Sequence, residues 1–167
     1  MKNKKIALVT GANRGIGFEA CRQLAKNGFK VILTSRDEKK GKEAAEKLKK
    51  QKLNIVYHQL DVKDKESIKK LHSFIDKEFG RLDALVNNAG IMIDPLKEEY
   101  ENEDKEFGLP TYNFDKYGIF KINEITYRET FETNFYGTLR MMMVFCPLMI
   151  KNNYGRIINF TGQIRWI

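Results

Sequence analysis

The sequence has 167 residues, of which 42% are hydrophobic, and this suffices for one domain with a substantial core. No apolar run approaches the roughly 20 residues of a membrane helix, and the run after the basic N-terminus is too short for a signal peptide, so we expect a soluble, cytoplasmic protein. The net charge is +8, but the lysines are mixed with acidic residues and lack interleaved aromatics. This pattern favours solvated helix faces. It argues against the alternative that the chain binds nucleic acid or another anionic surface.

Apolar runs alternate with amphipathic stretches along the first half of the chain. Strands are predicted over residues 5–9, 30–34, 54–60 and 82–87, and helices over residues 15–27, 38–50 and 65–79. Asp37 fits the N-cap of the second helix, and Gly28 and Gly80 fit the ends of the first and third. The strands are nearly continuous hydrophobic runs, so the pattern predicts an α/β fold with a doubly wound parallel sheet, the Rossmann fold.

The alternation stops after the fourth strand. Residues 94–125 carry charges, prolines and scattered aromatics without a sustained period, and we interpret them as an insertion. Regularity returns with a capping box at Thr126–Glu129, from which a long helix is predicted to about Met149. A fifth strand is predicted over residues 155–160. We therefore expect residues 1–167 to form a single but incomplete domain, without the C-terminal part of the fold.

A glycine-rich segment joins the first strand to the first helix. Its spacing is Gly11-x-x-x-Gly15-x-Gly17. Such a turn lets a ligand approach the backbone closely, and the helix N-terminus presents free N–H groups to an anion. A tight turn without a ligand is the alternative, but the position at the start of a strand–helix–strand unit favours a dinucleotide. The candidate cofactor-binding residues of this segment are Gly11, Asn13, Arg14, Gly15, Ile16 and Gly17.

Arg36 follows the second strand, where dinucleotide-binding folds recognise the adenosine ribose. An acidic residue at this point binds the ribose hydroxyls, whereas an arginine accommodates a 2′-phosphate. Arg36, together with Arg14 of the glycine segment, therefore favours NADP(H) over NAD(H). The alternative is that Asp37 binds the ribose and that Arg36 is a surface residue.

Two further turns follow predicted strands. Asp61 and Val62 come after the third strand, where the Asp61 carboxylate can accept a hydrogen bond from an adenine amino group. The alternative for Asp61 is a helix cap or a turn. Asn88, Ala89 and Gly90 come after the fourth strand, where small residues let a ribose lie against the backbone. The asparagine amides of this turn can tie adjacent strands together, and a turn without a ligand is the alternative.

A metal site is not expected from the cysteines and histidines. Cys21 and Cys146 are far apart and lie in helical patterns, so we interpret them as buried free thiols. His58 and His72 are isolated and lack ligand-like neighbours in the sequence.

Four motifs, in this order, resemble those of the short-chain dehydrogenases/reductases. They are the glycine motif Thr10–Gly17, the pair Asp61–Val62, the segment Leu85–Gly90 that ends in Asn-Asn-Ala-Gly, and Asn134 within Asn-Phe-Tyr-Gly. The insertion and the two arginines make the chain most similar to the NADPH-dependent carbonyl reductase branch. The resemblance implies NADP(H) as the cofactor and hydride transfer between a nicotinamide and a small-molecule carbonyl or alcohol.

The resemblance also implies an active site of Asn, Ser, Tyr and Lys. Asn134 matches the asparagine, which bends its helix and holds a water in a proton relay. Gly162 occupies the serine position, with Thr161 one residue earlier as a candidate substitute if the turn shifts. The Tyr-x-x-x-Lys pair belongs to a following helix that the chain does not reach. The matches at Tyr112–Lys116 and Tyr117–Lys121 precede Asn134 in the wrong order, and we interpret them as chance.

Two hypotheses remain for the chain as a whole. In the strand order 3-2-1-4-5-6 the fifth strand would be an apolar open edge, which favours a reductase truncated before its catalytic pair. Gly162 favours instead a non-catalytic dinucleotide-binding or interaction protein derived from the same family. The substrate and the oligomeric state cannot be read from the sequence.

Overall fold

A five-stranded parallel sheet forms the centre of the computed structural model, which describes residues 4–91 and 124–161. The strand order is β3-β2-β1-β4-β5 and each neighbouring pair is parallel, as the sequence predicts. The strands are β1 (Ile6–Val9), β2 (Lys30–Ser35), β3 (Ile55–Gln59), β4 (Ala84–Asn87) and β5 (Arg156–Asn159).

Helices alternate with the strands in the first part of the chain, and a long helical stretch precedes β5. The helices are α1 (Gly15–Lys26), α2 (Glu38–Lys49), α3 (Lys65–Phe79), α4 (Glu124–Phe131) and α5 (Thr138–Lys151), with a π-helical segment (Glu132–Gly137) between α4 and α5. Among the described residues, no helix combines the length and the apolar character needed to cross a membrane.

Two hydrophobic clusters cover the two faces of the sheet. Alternate residues of β1 point to opposite faces, so that Ile6 and Leu8 join one cluster and Ala7 and Val9 the other. The first cluster includes residues of α3 and α5, and the second includes residues of α1 and α2. Both faces of the central strands are therefore buried, which confirms the doubly wound fold and explains their continuous apolar sequences.

The predicted cap residues of the first three helices are confirmed, and Gly28 follows α1 with a φ of 88°. The Asp37 carboxylate accepts a hydrogen bond of 2.9 Å from the Lys40 backbone N–H at the start of α2. Gly80 ends α3 with a φ of 62°, a left-handed conformation that glycine adopts without steric cost. Strong local signals at both ends explain why the bounds of α3 match the sequence prediction.

The predicted start of the long helix is wrong, because α4 includes Glu124 and Thr126 therefore lies inside it. Arg128 forms an ion pair with Glu124 one turn earlier, an i,i+4 contact that favours this additional turn. The capping-box pattern at Thr126–Glu129 does not mark the N-terminus. Of the predicted insertion 94–125, residues 124 and 125 are helical, and the part up to residue 123 lies outside the described residues.

The strand β5 forms one edge of the described sheet. All four of its residues are exposed, although its register with β4 is regular, with Ile157 paired to Leu85 and Ile158 to Val86. At the same edge, the Asn87 side-chain amide donates a hydrogen bond of 2.9 Å to the Asn159 side-chain oxygen. The expectation that an asparagine of this turn ties adjacent strands is confirmed.

Candidate functional site

A cleft of about 390 Å³ opens at the carboxyl edge of the sheet. The segments that follow β1, β3 and β4 meet there because the carboxyl ends of parallel strands lie at one edge. The cleft contains every sequence-predicted cofactor residue except Gly17. Its lining residues are Gly11, Asn13, Arg14, Gly15, Ile16, Arg36, Leu60, Asp61, Val62, Lys63, Asn88, Ala89, Gly90, Ile91 and Thr133.

The glycine segment forms the floor of this cleft. Gly11 has a φ of 63°, and a Cβ atom at this position would lie 2.8 Å from the Cα of Ala89, so that no larger residue fits without a shift. A Cβ atom on Gly15 would instead meet no atom within 4 Å, which leaves open space in front of the loop. Gly17 does not line the cleft and packs against the Asn88 side chain. The loop is therefore packed tightly on one side and open to a ligand on the other.

The N-terminus of α1 has no side-chain cap. Arg14 occupies the N-cap with extended backbone and no capping hydrogen bond, and the first turn contains no acidic residue. By contrast, Asp37 caps α2 and Asp64 caps α3. A helix N-terminus carries unpaired N–H groups and partial positive charge. These groups of α1 thus remain available to an anion in the cleft.

Thr10 connects the glycine loop to the turn after β4. Its buried hydroxyl accepts hydrogen bonds from the backbone N–H groups of Asn88, at 3.0 Å, and Ala89, at 2.9 Å. The Asn88 side-chain amide donates in return to the carbonyl oxygens of Thr10 and Gly11, at 2.9 and 3.0 Å. Thr10 belongs to the glycine motif, but its role was not predicted from the sequence. Its signal was a hydroxyl residue directly between β1 and the first glycine.

Arg14 and Arg36 line both this cleft and a neighbouring cationic cleft of about 480 Å³. The cationic cleft is lined by Asn13, Arg14, Arg36, Asp37, Lys40, Glu43, Ala44 and Lys47. The Asp37 carboxylate caps α2, and the hydrogen bond from the Lys40 backbone N–H holds the pKa of Asp37 below its ordinary value. Asp37 therefore remains charged but is engaged by its own helix, while the two arginines face the clefts.

Asp61 is a turn residue, one of the two alternatives that the sequence left open, and it also lines the cleft. One of its carboxylate oxygens accepts a hydrogen bond of 2.9 Å from the Lys63 backbone N–H, which makes it a turn residue. Its own N–H donates to the Ser67 hydroxyl at 3.0 Å. Asp61 nevertheless lines the cleft together with Val62, where the carboxylate can accept a further hydrogen bond from a ligand.

Asn134 lies in the π-helical segment and holds the turn after β4. Its side-chain oxygen accepts a hydrogen bond of 2.8 Å from the Ile91 N–H, and its side-chain amide donates one of 2.8 Å to the Ile91 carbonyl. The long helix is irregular at this residue, which agrees with the helix bend that the sequence resemblance implies. Ile91 and Thr133 both line the cleft, so Asn134 connects two parts of its wall.

Thr161 lies apart from this group of residues. It follows β5, is exposed, and is absent from the lining of the cleft. The residue before Thr161 is still bonded to the sheet, because the Phe160 N–H donates a hydrogen bond of 2.9 Å to the Asn87 carbonyl oxygen. Gly162, at the expected serine position, and the two Tyr-x-x-x-Lys matches lie outside the described residues.

The two cysteines are free, as the sequence predicts. Cys21 is buried in the cluster beneath α1, and Cys146 is partly buried in α5. Within residues 4–91 and 124–161, no group of three or more histidine, cysteine or acidic side chains is placed to hold a metal ion.

Comparison with known proteins gives the same family from sequence and from structure. The family described as short chain dehydrogenase matches residues 5–164. The (+)-neomenthol dehydrogenase of Capsicum annuum is 43% identical, with 96% of this chain and 56% of that protein aligned. The mouse protein carbonyl reductase [NADPH] 1 is 36% identical over 97% of this chain and 50% of its own length.

A solved structure agrees with this fold. A metagenomic short-chain oxidoreductase in complex with NADP has a TM-score of 0.75 and 26% identity, and the match covers 96% of this chain and 63% of that one. This chain spans about half the length of the curated relatives it matches. The family match over nearly all of its length, the order of its strands and the glycine turn at their carboxyl edge together show that this chain belongs to the short-chain dehydrogenase family.

Proposed function

We propose that this chain binds NADP(H) and forms the cofactor-binding part of an oxidoreductase that reduces the carbonyl group of a small molecule to an alcohol. One observation carries the proposal. The uncapped N-terminus of α1 and two arginines line a single cleft at the carboxyl edge of the sheet. This arrangement presents backbone N–H groups to a pyrophosphate and guanidinium groups to a further phosphate.

The charges beside the cleft favour NADP(H) over NAD(H). Arg14 and Arg36 line both clefts, and Lys40 and Lys47 add positive charge to the cationic cleft. Asp37, the competing ribose partner, is engaged as the N-cap of α2. An arginine binds a phosphate in two-point geometry, whereas a free carboxylate would repel it. The relatives named for NADPH or solved with NADP support the same choice.

Each part of the cofactor has a partner in this proposal. The glycine loop and the N-terminus of α1 hold the pyrophosphate, and Arg14 and Arg36 hold the 2′-phosphate. Asp61 and Val62 border the adenine, while Asn88, Ala89 and Gly90 border a ribose. NADPH supplies the hydride for carbonyl reduction when it is bound.

Isothermal titration calorimetry with NADPH and NADH tests the cofactor. We expect NADPH to bind at least about tenfold more tightly, because a charge-assisted hydrogen bond contributes roughly 1.5–3 kcal/mol and 1.4 kcal/mol is tenfold in affinity. Arg36→Ala should weaken NADPH binding by about the same factor and leave NADH binding unchanged. Arg22→Ala is the matched control, because Arg22 pairs with Glu19 and lines neither cleft. Equal binding of the two cofactors would refute the choice of NADP(H).

A second candidate function is dinucleotide binding without catalysis. Gly162 favours it, because a glycine has no side chain to hydrogen-bond a substrate carbonyl. The two candidates differ in the activity expected once a catalytic pair is present. No Tyr-x-x-x-Lys pair follows Asn134 within residues 1–167, so we expect these residues alone to bind NADPH without oxidising it in the presence of small ketones and aldehydes. A chain extended by a helix that carries such a pair should reduce these substrates, whereas NADPH binding without turnover by the extended chain would support the non-catalytic candidate.

A further inference from the structure

Arg140 reaches back from the first turn of α5 across the π-helical segment. Its Nη1 atom lies 2.6 Å from Oε1 of Glu132, the first residue of that segment. Its guanidinium carbon lies 6.0 Å from the ring centre of Tyr136, near the other end of the segment. Both contacts of this one side chain are thus made with π-helical residues.

The spacing of this ion pair is unusual for a helix. A regular α-helix turns about 100° per residue, so eight steps cover about 800°, roughly 80° beyond two full turns. Residues at i and i+8 therefore point in different directions. A π-turn accommodates one extra residue, so eight steps across it cover roughly the 700° of seven α-helical steps, within about 20° of two turns. Glu132 and Arg140 consequently share one face only while the π-turn persists.

We infer that the ion pair of Glu132 and Arg140 holds the π-helical register, and that both are positioning residues for Asn134. Asn134 lies between them in the chain, and its side chain makes both hydrogen bonds to the Ile91 backbone. Loss of the extra residue of the π-turn would rotate Asn134 by about 100° relative to α5 and would break these bonds. The register also sets the position of Thr133 in the cleft wall.

The burial of the pair suits this role. The side chain of Arg140 is 24% exposed and that of Glu132 is 39% exposed, so solvent screens their attraction only in part. Gly137, the last residue of the segment, packs against the Val62 side chain. The pair of Glu124 and Arg128 lies in regular α-helix and its side chains are 74% and 76% exposed, so it provides a matched control.

Hydrogen exchange and side-chain amide resonances, measured by NMR on the cofactor-free chain, test the inference. Glu132→Gln and Arg140→Met should each accelerate exchange of the Ile91 amide by about three- to tenfold and shift the Asn134 side-chain amide resonances. The charge-exchanged double variant, Glu132→Arg with Arg140→Glu, should restore both readouts. Arg128→Met should leave both unchanged.

Exchange at Ile91 is divided by exchange at Leu148, a buried residue of α5, to remove any change in overall stability. The inference is overturned if this ratio stays constant in the single variants, or if the charge-exchanged variant behaves like them. The measurement needs no cofactor, so it is independent of NADP(H) binding. The importance of the pair for catalysis rests on the proposed function, and the calorimetric experiment tests that separately.

Discussion

Replacing Thr10 by valine should weaken the connection between the glycine loop and the turn after β4. Valine keeps the size and branching of threonine but has no hydroxyl. The N–H groups of Asn88 and Ala89 would then lose the oxygen that now accepts from them at 3.0 and 2.9 Å. Thr10 is 1% exposed, so water cannot easily replace that oxygen.

The expected cost follows from these two donors. An unsatisfied buried donor costs about 1–3 kcal/mol, and both N–H groups here are only partly buried, so we expect a loss of about 2–4 kcal/mol in the free energy of unfolding. Thr10→Ser keeps the hydroxyl and removes one methyl group, which should cost only about 1 kcal/mol. The hydrogen-bonding term therefore predicts that valine is the more damaging replacement, although it is the more hydrophobic one.

Urea unfolding of the two variants and the parent chain measures this difference. A lower midpoint for Thr10→Val than for Thr10→Ser, at an unchanged slope, is the expected result. If Thr10→Val is as stable as Thr10→Ser, the hydroxyl does not connect the two segments energetically and the reasoning is refuted.

Three further predictions concern the loop, a buried ion pair and a thiol. Gly11→Ala should weaken NADPH binding in calorimetry by more than about tenfold, because its positive φ and the contact with Ala89 force the loop to move; unchanged affinity would contradict this. Asp83→Asn should cost about 2–4 kcal/mol in urea unfolding, since it leaves the charge of Arg81 unpaired; a loss below about 0.5 kcal/mol would contradict this. Burial raises the pKa of the Cys21 thiol, so iodoacetamide should modify this thiol only after unfolding. Mass spectrometry measures the modification, and equal rates of modification of Cys21 in the folded and the unfolded chain would contradict this.

The first three helices could be predicted because their signals are local. Asp37 and Asp64 precede their helices, and Gly80 directly follows α3, so these three boundaries are marked by neighbours in the chain. The start of α4 was missed because two local signals compete there. The capping pattern at Thr126 indicated one start, whereas the ion pair of Glu124 and Arg128 favours an earlier turn.

The site was predictable only as separate segments. The glycine spacing, Arg36, Asp61 and Asn88 each follow a predicted strand, and a parallel sheet must bring such positions to one edge. The bonds between them could not be predicted. Thr10 and Asn88 are 78 residues apart, and their hydrogen bonds depend on β1 and β4 being neighbours in the sheet.

The π-helical segment shows a further limit of sequence reasoning. A motif identifies Asn134, but a spacing of eight residues between Glu132 and Arg140 indicates no contact in an α-helix. Residues eight apart share one face of a helix only when the helix contains one extra residue in a turn. Asn134 of this irregular turn is hydrogen-bonded to Ile91, which is 43 residues earlier in the chain and gives no local signal. Opposite charges eight residues apart on either side of an asparagine are therefore worth testing as a signature of a π-turn. The exchange experiment on Ile91 decides whether the pair of Glu132 and Arg140 holds such a turn in this chain.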